Sequence, residues 1–268
     1  MKPALINLVE SQVAKFRHNI GLSDFEAVGL KSLLLKLNVL TVFRPLSESF
    51  SGMSLRSGDN RFMLVNSNMP RCRQHFTIAH ELYHLFVEAD PRPHKCSKDG
   101  RKNEAEQCAD AFALRFLMPT DGIMQIVPEE ELLKSRVSLA SVMRLEHYFS
   151  VSHLAVVNRL YNLRLISKEE REKFLSLPVK RTAREYGYDT SLYEPGNANL
   201  VIGNYGEKAR RLFEEDKISE GHYLELLHKI GIDGVCSELL EKGHPKDTVD
   251  RFCQFFGGDA VTLDAVAA

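Results

Sequence analysis

The stretch FTIAHELYHLFVEAD (residues 76–90) constrains the fold of this chain more than any other. It holds two histidines, His80 and His84, four residues apart, with Glu81 directly after the first. Its apolar flanks predict a buried helix, on which positions i and i+4 lie one above the other, about 6 Å apart between Cβ atoms. Titratable side chains on a buried helix need partners. The stretch therefore predicts that the two imidazoles converge on one metal ion.

Glu81 has a different place on this predicted helix. It lies about 100° around the axis from His80, so it cannot easily join the same ion but can reach the ion's water. Two histidine ligands and a base that does not bind the metal form the arrangement that a metallohydrolase needs. We therefore predict Zn²⁺ as the ion and Glu81 as the catalytic base.

A catalytic zinc also needs a third protein ligand and an open fourth position for water. Residues 91–100 are predicted to be a loop, and Glu88 lies two turns from His80, too far along the axis for a compact site. The side chains considered for this third ligand are Glu88, His94, Cys96, Glu104, Glu106, Cys108 and Asp110.

The helix predicted at residues 101–119 separates these alternatives by its phase. Its apolar stripe consists of Ala105, Cys108, Ala109, Phe112, Ala113, Phe116 and Leu117. Glu106 falls on the edge of this stripe, whereas Glu104 falls on the far side, so we favour Glu106 as the ligand. Asp110, one turn further on, is either an acceptor that fixes the tautomer of a ligand histidine or a solvated helix charge.

Three further features near the predicted site each allow more than one role. Tyr83 and His75 could each donate a hydrogen bond to an oxyanion or contact the substrate, although for His75 we favour a plain surface residue. The strand RFMLVNSN (residues 61–68) could form the edge of the cleft and pair with an extended substrate, or be an ordinary strand of the sheet.

Composition indicates a globular protein without a global charge bias. Lys and Arg total 35 against 36 Asp and Glu, so no overall field favours nucleic acid or an anionic membrane. The five cysteines are widely spaced, which favours a reducing compartment over a disulfide framework. No apolar run approaches about 18 residues, and residues 1–19 indicate an amphipathic helix. We therefore expect a cytoplasmic protein that does not contact a membrane.

The order of predicted elements indicates the α+β class. Helices at residues 4–20 and 25–37, strands at 39–46 and 61–68, and a turn-rich stretch at 47–60 precede the histidine helix. We predict a zincin-like metallopeptidase domain with a small sheet at 1–120. A helical segment resembling a helix-turn-helix follows at 121–177, and a mainly helical C-terminal segment at 178–268.

Two stretches of this chain resemble the ImmA/IrrE family of metallopeptidases. They are RCRQHFTIAHELYHLF, which contains His-Glu-x-x-His, and EQCADAFALRFLMP, which follows a Glu-x-x-Ala-x-x-Phe-Ala…Leu-Met-Pro pattern from Glu106. LVNSN (64–68) matches the strand that precedes them in the family. Asp110 stands where the family commonly has Asn, Phe116 replaces a Leu, and Tyr83 replaces a frequent Gly; none of these changes removes a predicted ligand.

The resemblance implies a zinc endopeptidase with His80, His84 and Glu106 as ligands and Glu81 as base. Family members typically lie beside helix-turn-helix repressors, which active members cleave, so the implied substrate is a repressor encoded nearby. The alternative is a non-catalytic regulator or toxin–antitoxin component that acts by binding protein or DNA. Residues 129–167 carry five Lys and Arg against four Glu, so we expect no direct DNA binding.

Overall fold

The computed structural model describes residues 3–88, 94–97 and 104–229, and at 94–97 it describes only the backbone. The predicted C-terminal segment therefore continues beyond the described residues, from position 230 to 268. The helices are α1 (Pro3–Asn19), α2 (Leu30–Lys36), α3 (Arg71–Phe86), α4 (Glu104–Leu117), α5 (Thr120–Ile126), α6 (Glu129–Leu133), α7 (Leu139–Phe149), α8 (His153–Asn162), α9 (Lys168–Leu175), α10 (Val179–Glu185), α11 (Tyr205–Glu214) and α12 (Glu220–Lys229), with a 3-10 helix at Thr190–Tyr193. The strands are β1 (Val39–Arg44), β2 (Phe50–Ser57), β3 (Asn60–Asn66), β4 (His94–Ser97) and β5 (Val201–Ile202).

These strands form one mixed sheet in the order β4-β2-β3-β1-β5. Strand β1 runs parallel to β3, and the other neighbours are antiparallel. The α+β class predicted from the order of elements is confirmed. The sheet also shows that β3 has a partner on each side, so the suggestion that it forms the cleft edge is wrong. The reason is the tight turn at Gly58, with φ of 57°, which folds β2 back along the outer side of β3.

Strand β2 lies within a stretch that the sequence predicts to be turn-rich, and that prediction is wrong for Phe50–Ser57. Gly52 explains why this strand contains a residue that is typical of turns. A Cβ atom at Gly52 would lie 2.5 Å from Cγ2 of Thr77 on α3 and 2.9 Å from the carbonyl oxygen of Leu64. A glycine is therefore needed for the helix to pack this closely on the strand. Strand β4, in the predicted loop 91–100, is a second correction.

Helix α3 packs against the sheet and against α4, and α1 packs on α4. The contact between α1 and α4 is aromatic: the rings of Phe16, Phe112 and Phe116 have centroids 5.5–5.7 Å apart, which suits edge and offset packing. Beside them, the Arg17 guanidinium is 1 % exposed and donates hydrogen bonds to the carbonyl oxygens of Ser23, Glu26 and Phe116. This packing fixes the phase of α4 relative to α1.

The helices after residue 120 share the hydrophobic core of the sheet and α3. Val142 and Leu145 of α7 and Val156 and Leu160 of α8 belong to the same cluster of buried residues. A left-handed residue, Ser150 with φ of 53°, ends α7, so the predicted helix, turn and helix are present. The limits proposed near residues 120 and 177 stay predictions. In the part of the chain that the structure describes, no helix is both long and apolar enough to cross a membrane.

Candidate metal centre

The two histidines of α3 point their Nε2 atoms toward the same place. His80 is 1 % exposed and His84 is 3 % exposed. Their Nε2 atoms are 3.3 Å apart. The helical spacing of four residues creates this convergence, as the sequence predicts.

Glu106, at the start of α4, completes the group. One carboxylate oxygen of Glu106 lies 3.4 Å from Nε2 of His80, and the other lies 3.5 Å from Nε2 of His84. Glu104 is exposed, so the structure brings Glu106 rather than Glu104 to the histidines, in agreement with the helix phase. Cys108 is also placed by α4, and its thiol hydrogen-bonds to Tyr83. The side chains of His94 and Cys96 lie outside the described part of the chain.

Two carboxylates hold the far sides of the imidazole rings. Asp110 Oδ1 lies 3.0 Å from Nδ1 of His80, and Glu88 Oε2 lies 2.7 Å from Nδ1 of His84. A carboxylate can only accept, so each Nδ1 carries the hydrogen and each Nε2 presents its lone pair. The tautomer-fixing contact considered for Asp110 is therefore present. Glu88, which the sequence argument rejects as a ligand, makes the equivalent contact four residues after His84.

The resulting cluster is complementary to a cation. Two Nε2 lone pairs and the Glu106 carboxylate lie within 4.8 Å of one another, and all of them are electron-pair donors. A metal ion among such atoms would remove their mutual repulsion. His80, His84 and Glu106 are thus the described residues that could hold a metal ion, and their assignment as its ligands stays a prediction.

Glu81 lies on the part of α3 that packs against the sheet. It is fully buried, and its Oε2 accepts a hydrogen bond of 2.6 Å from the Ser54 hydroxyl on β2. The sequence argument misses Ser54, because Ser54 lies 27 positions earlier in a stretch that resembles a turn. The close packing at Gly52 is what brings β2 within reach of Glu81.

Tyr83 and His75 make other contacts. Tyr83 is buried, and burial together with the nearby Cys108 thiol raises the pKa of its hydroxyl. Nδ1 of His75 donates to the carbonyl oxygen of Ser150 at 2.9 Å, and burial lowers the pKa of this imidazole. The geometry thus gives both side chains structural contacts, and a role at an oxyanion stays a prediction that these contacts do not favour.

One large cavity opens beside the centre. Its volume is about 1320 Å³, and His80, Glu106 and Asp110 line one part of it. Another part of its wall comes from α8, whose Ala155, Asn158, Arg159 and Asn162 follow one helix face. The helical part of the chain therefore builds a wall of the cleft next to the centre.

Comparison with known proteins gives one family. Residues 35–161 match the peptidase M78 family model, described as the IrrE N-terminal-like domain. The match begins just before β1 and ends in α8, so it includes strands β1 to β4, the centre and the α7–α8 pair, while β5 lies outside it. No curated protein matches this chain. The chain therefore carries, at residues 35–161, an IrrE N-terminal-like domain of the peptidase M78 type, which matches the ImmA/IrrE family that its motifs resemble.

Proposed function

We propose that this protein is a zinc-dependent endopeptidase that cleaves a peptide bond inside a partner protein. The observation that carries the proposal is the convergence of His80, His84 and Glu106 beside a large open cleft. The separations between their ligand atoms are 3.3, 3.4 and 3.5 Å. A tetrahedral ion with ligand bonds of 2.0–2.1 Å has edges of about 3.3 Å, so the donor set fits zinc in both chemistry and size.

Zinc, when bound, supplies a Lewis acid that makes a water molecule more acidic and polarises a carbonyl group. Glu81 is the residue that we assign to proton transfer: it takes a proton from the attacking water and passes it to the leaving amine. Ser54 orients this carboxylate by its hydrogen bond. Asp110 and Glu88 keep the imidazoles in the tautomer that presents Nε2.

We propose a helix-turn-helix repressor, encoded near this protein, as the substrate. The support is the resemblance to the ImmA/IrrE motifs together with a cleft of about 1320 Å³, which has room for an extended segment of polypeptide. Such a substrate would place the enzyme in the cytoplasm. Part of α8, the second helix of the predicted helix-turn-helix, lines this cleft, which favours peptide over direct DNA contact.

The test uses wild type and Glu81→Gln. Each is incubated, with zinc bound, with the repressor from the neighbouring gene, and fragments are identified by mass spectrometry. Glu81→Gln preserves size and all three ligands, so it should keep zinc and bind the repressor while cleavage falls by about 10²–10⁴-fold. Equal cleavage by both proteins would exclude Glu81 as the base. Binding by both with no cleavage by either would favour the non-catalytic alternative.

A further inference from the structure

A buried arginine lines the same cavity as the metal centre. Arg159 of α8 is 2 % exposed, and its Nη2 donates a hydrogen bond of 2.8 Å to the hydroxyl of Thr120. Its Nε atom is buried without an acceptor among the residues that the structure describes. A guanidinium in this position has donor capacity that the described fold does not use.

Arg17 provides a comparison within the same protein. It is buried to a similar degree, but its Nε, Nη1 and Nη2 all donate to carbonyl oxygens. That is the pattern of an arginine with a structural role, because burying a charge is costly unless its donors are satisfied. Arg159 departs from this pattern and lies on a cavity wall instead.

The charged groups that act on Arg159 are Arg115 and Glu10. Arg115 of α4 lies on the same cavity, and its Nε is 3.1 Å from a carboxylate oxygen of Glu10. Burial, reinforced by the Arg115 charge, lowers the pKa of Arg159 to about 10, while Glu10 acts in the opposite direction. Arg159 therefore stays protonated at neutral pH. Two guanidinium groups and one carboxylate leave this end of the cavity with a net positive charge.

The length of α4 gives the distance between Arg115 and the metal centre. Arg115 lies nine residues after Glu106 in this helix, which is about 14 Å along the axis at about 1.5 Å per residue. An extended peptide advances about 3.3 Å per residue, so about four residues span the interval. A peptide with its cleaved bond at the centre would thus place a side chain near Arg115, whose charge acts on Arg159.

We propose that Arg159, assisted by Arg115, binds an acidic side chain of the substrate about four residues from the cleaved bond. The inference rests on the proposed function, since it places the substrate peptide in this cavity. A carboxylate matches the planar donors of a guanidinium. The buried setting makes the contact selective, because an uncharged residue would leave the guanidinium donors without an acceptor.

A binding experiment tests the inference without relying on catalysis. Zinc-loaded Glu81→Gln is immobilised, and a phage library of random 12-residue peptides, each joined to the coat protein at its C-terminus, is selected on it. We expect Asp and Glu to be enriched at one position. The selected peptide, labelled with fluorescein, should bind Arg159→Gln in the same background about 10-fold or more weakly by anisotropy. Arg159→Lys should retain part of the affinity.

Three further variants separate charge from folding. Glu10→Gln removes the opposing carboxylate at a half-exposed position and should strengthen binding, while Arg115→Gln should weaken it. Arg144→Gln, exposed on α7, is the matched control and should have no effect. If thermal unfolding shows that Arg159→Gln does not fold, the peptide affinities of Glu10→Gln and Arg115→Gln test the inference in its place.

The outcomes distinguish the inference from the proposed function. The inference is overturned if the selected peptides show no enrichment of Asp or Glu, or if no peptide is selected. It is also overturned if the Arg115 and Glu10 variants bind the selected peptide as tightly as the unmodified background does. Cleavage of a selected peptide by wild type tests the endopeptidase separately. Cleavage of peptides without an acidic preference would support the endopeptidase function and exclude the anion site. Selection of acidic peptides that wild type does not cleave would support the anion site and count against the endopeptidase function.

Discussion

Ser54 on β2 donates a hydrogen bond of 2.6 Å to Oε2 of Glu81 on α3. The contact joins a strand to the helix that carries the predicted base, and both residues are buried. Hydrogen bonds to charged groups contribute about 1.5–3 kcal/mol, which is enough to hold a carboxylate in one orientation. The sheet therefore acts as a support for the predicted catalytic group.

Replacing Ser54 by alanine should lower kcat by about 10–100-fold, since the Glu81 carboxylate would lose its fixed orientation. Zinc content should stay at the wild-type value, because Ser54 does not contact the ligand group. The measurement is steady-state cleavage of the proposed repressor substrate, with elemental analysis of the same preparation. Ser57→Ala, exposed at the end of the same strand, is the matched control. An unchanged kcat in Ser54→Ala would exclude this role.

The ligand assignment predicts metal contents. Wild type should hold about one zinc per chain, and His80→Ala, His84→Ala and Glu106→Gln should each lose most of it. Glu104→Gln is the matched control, because Glu104 lies on the same helix but is exposed. Elemental analysis after dialysis provides the measurement. Full occupancy in Glu106→Gln together with loss in Glu104→Gln would reverse the choice of ligand.

The carboxylates behind the imidazoles predict a smaller effect. Asp110→Ala and Glu88→Ala each remove the acceptor for one Nδ1–H group, so zinc affinity should fall by about 10–100-fold while the ligands remain. Competition with a zinc-sensitive dye measures this change. Glu104→Ala should bind zinc as tightly as wild type does. If Asp110→Ala and Glu88→Ala also bind zinc as tightly as wild type does, this role of the two carboxylates is excluded.

A buried ion pair in the helical part predicts a pH effect on stability. Nδ1 of His153 contacts the Glu146 carboxylate, and Nε2 lies 2.9 Å from the Phe174 carbonyl oxygen. Burial alone lowers the pKa of His153, but the hydrogen bond and charge of Glu146 and the Phe174 carbonyl outweigh it, so the pKa is raised. Protonated His153 therefore stabilises the fold.

Because the folded pKa exceeds the unfolded value of about 6.5, this stabilisation is fully present below about pH 6.5. It is lost as the pH rises through the folded pKa. The difference in unfolding free energy between wild type and His153→Gln should therefore shrink from acidic to alkaline pH in denaturant titrations. Titration of the metal ligands is common to both proteins and cancels. A difference that grows with pH would contradict the assignment.

Local spacing determined much of the centre. The convergence of His80 and His84 follows from four-residue spacing on one helix, which holds wherever that helix packs. The approach of Glu106 follows from the apolar stripe of α4, because only one face of the helix can be buried. The contact of Glu88 with His84 has the same four-residue spacing, so the sequence could also have indicated it.

Tertiary structure alone decided the contacts that cross between elements. Ser54 reaches Glu81 only because β2 pairs outside β3 and Gly52 permits close packing, and strand pairing depends on partners far apart in sequence. Arg159 likewise becomes part of the cleft only when the fold brings α8 and α4 to the same cavity. Periodicity describes one helix or strand at a time and carries no information about which neighbour its buried face will meet. The sequence by itself therefore determined the predicted metal-binding motif, and the fold decided what supports the predicted base and what lines the cleft.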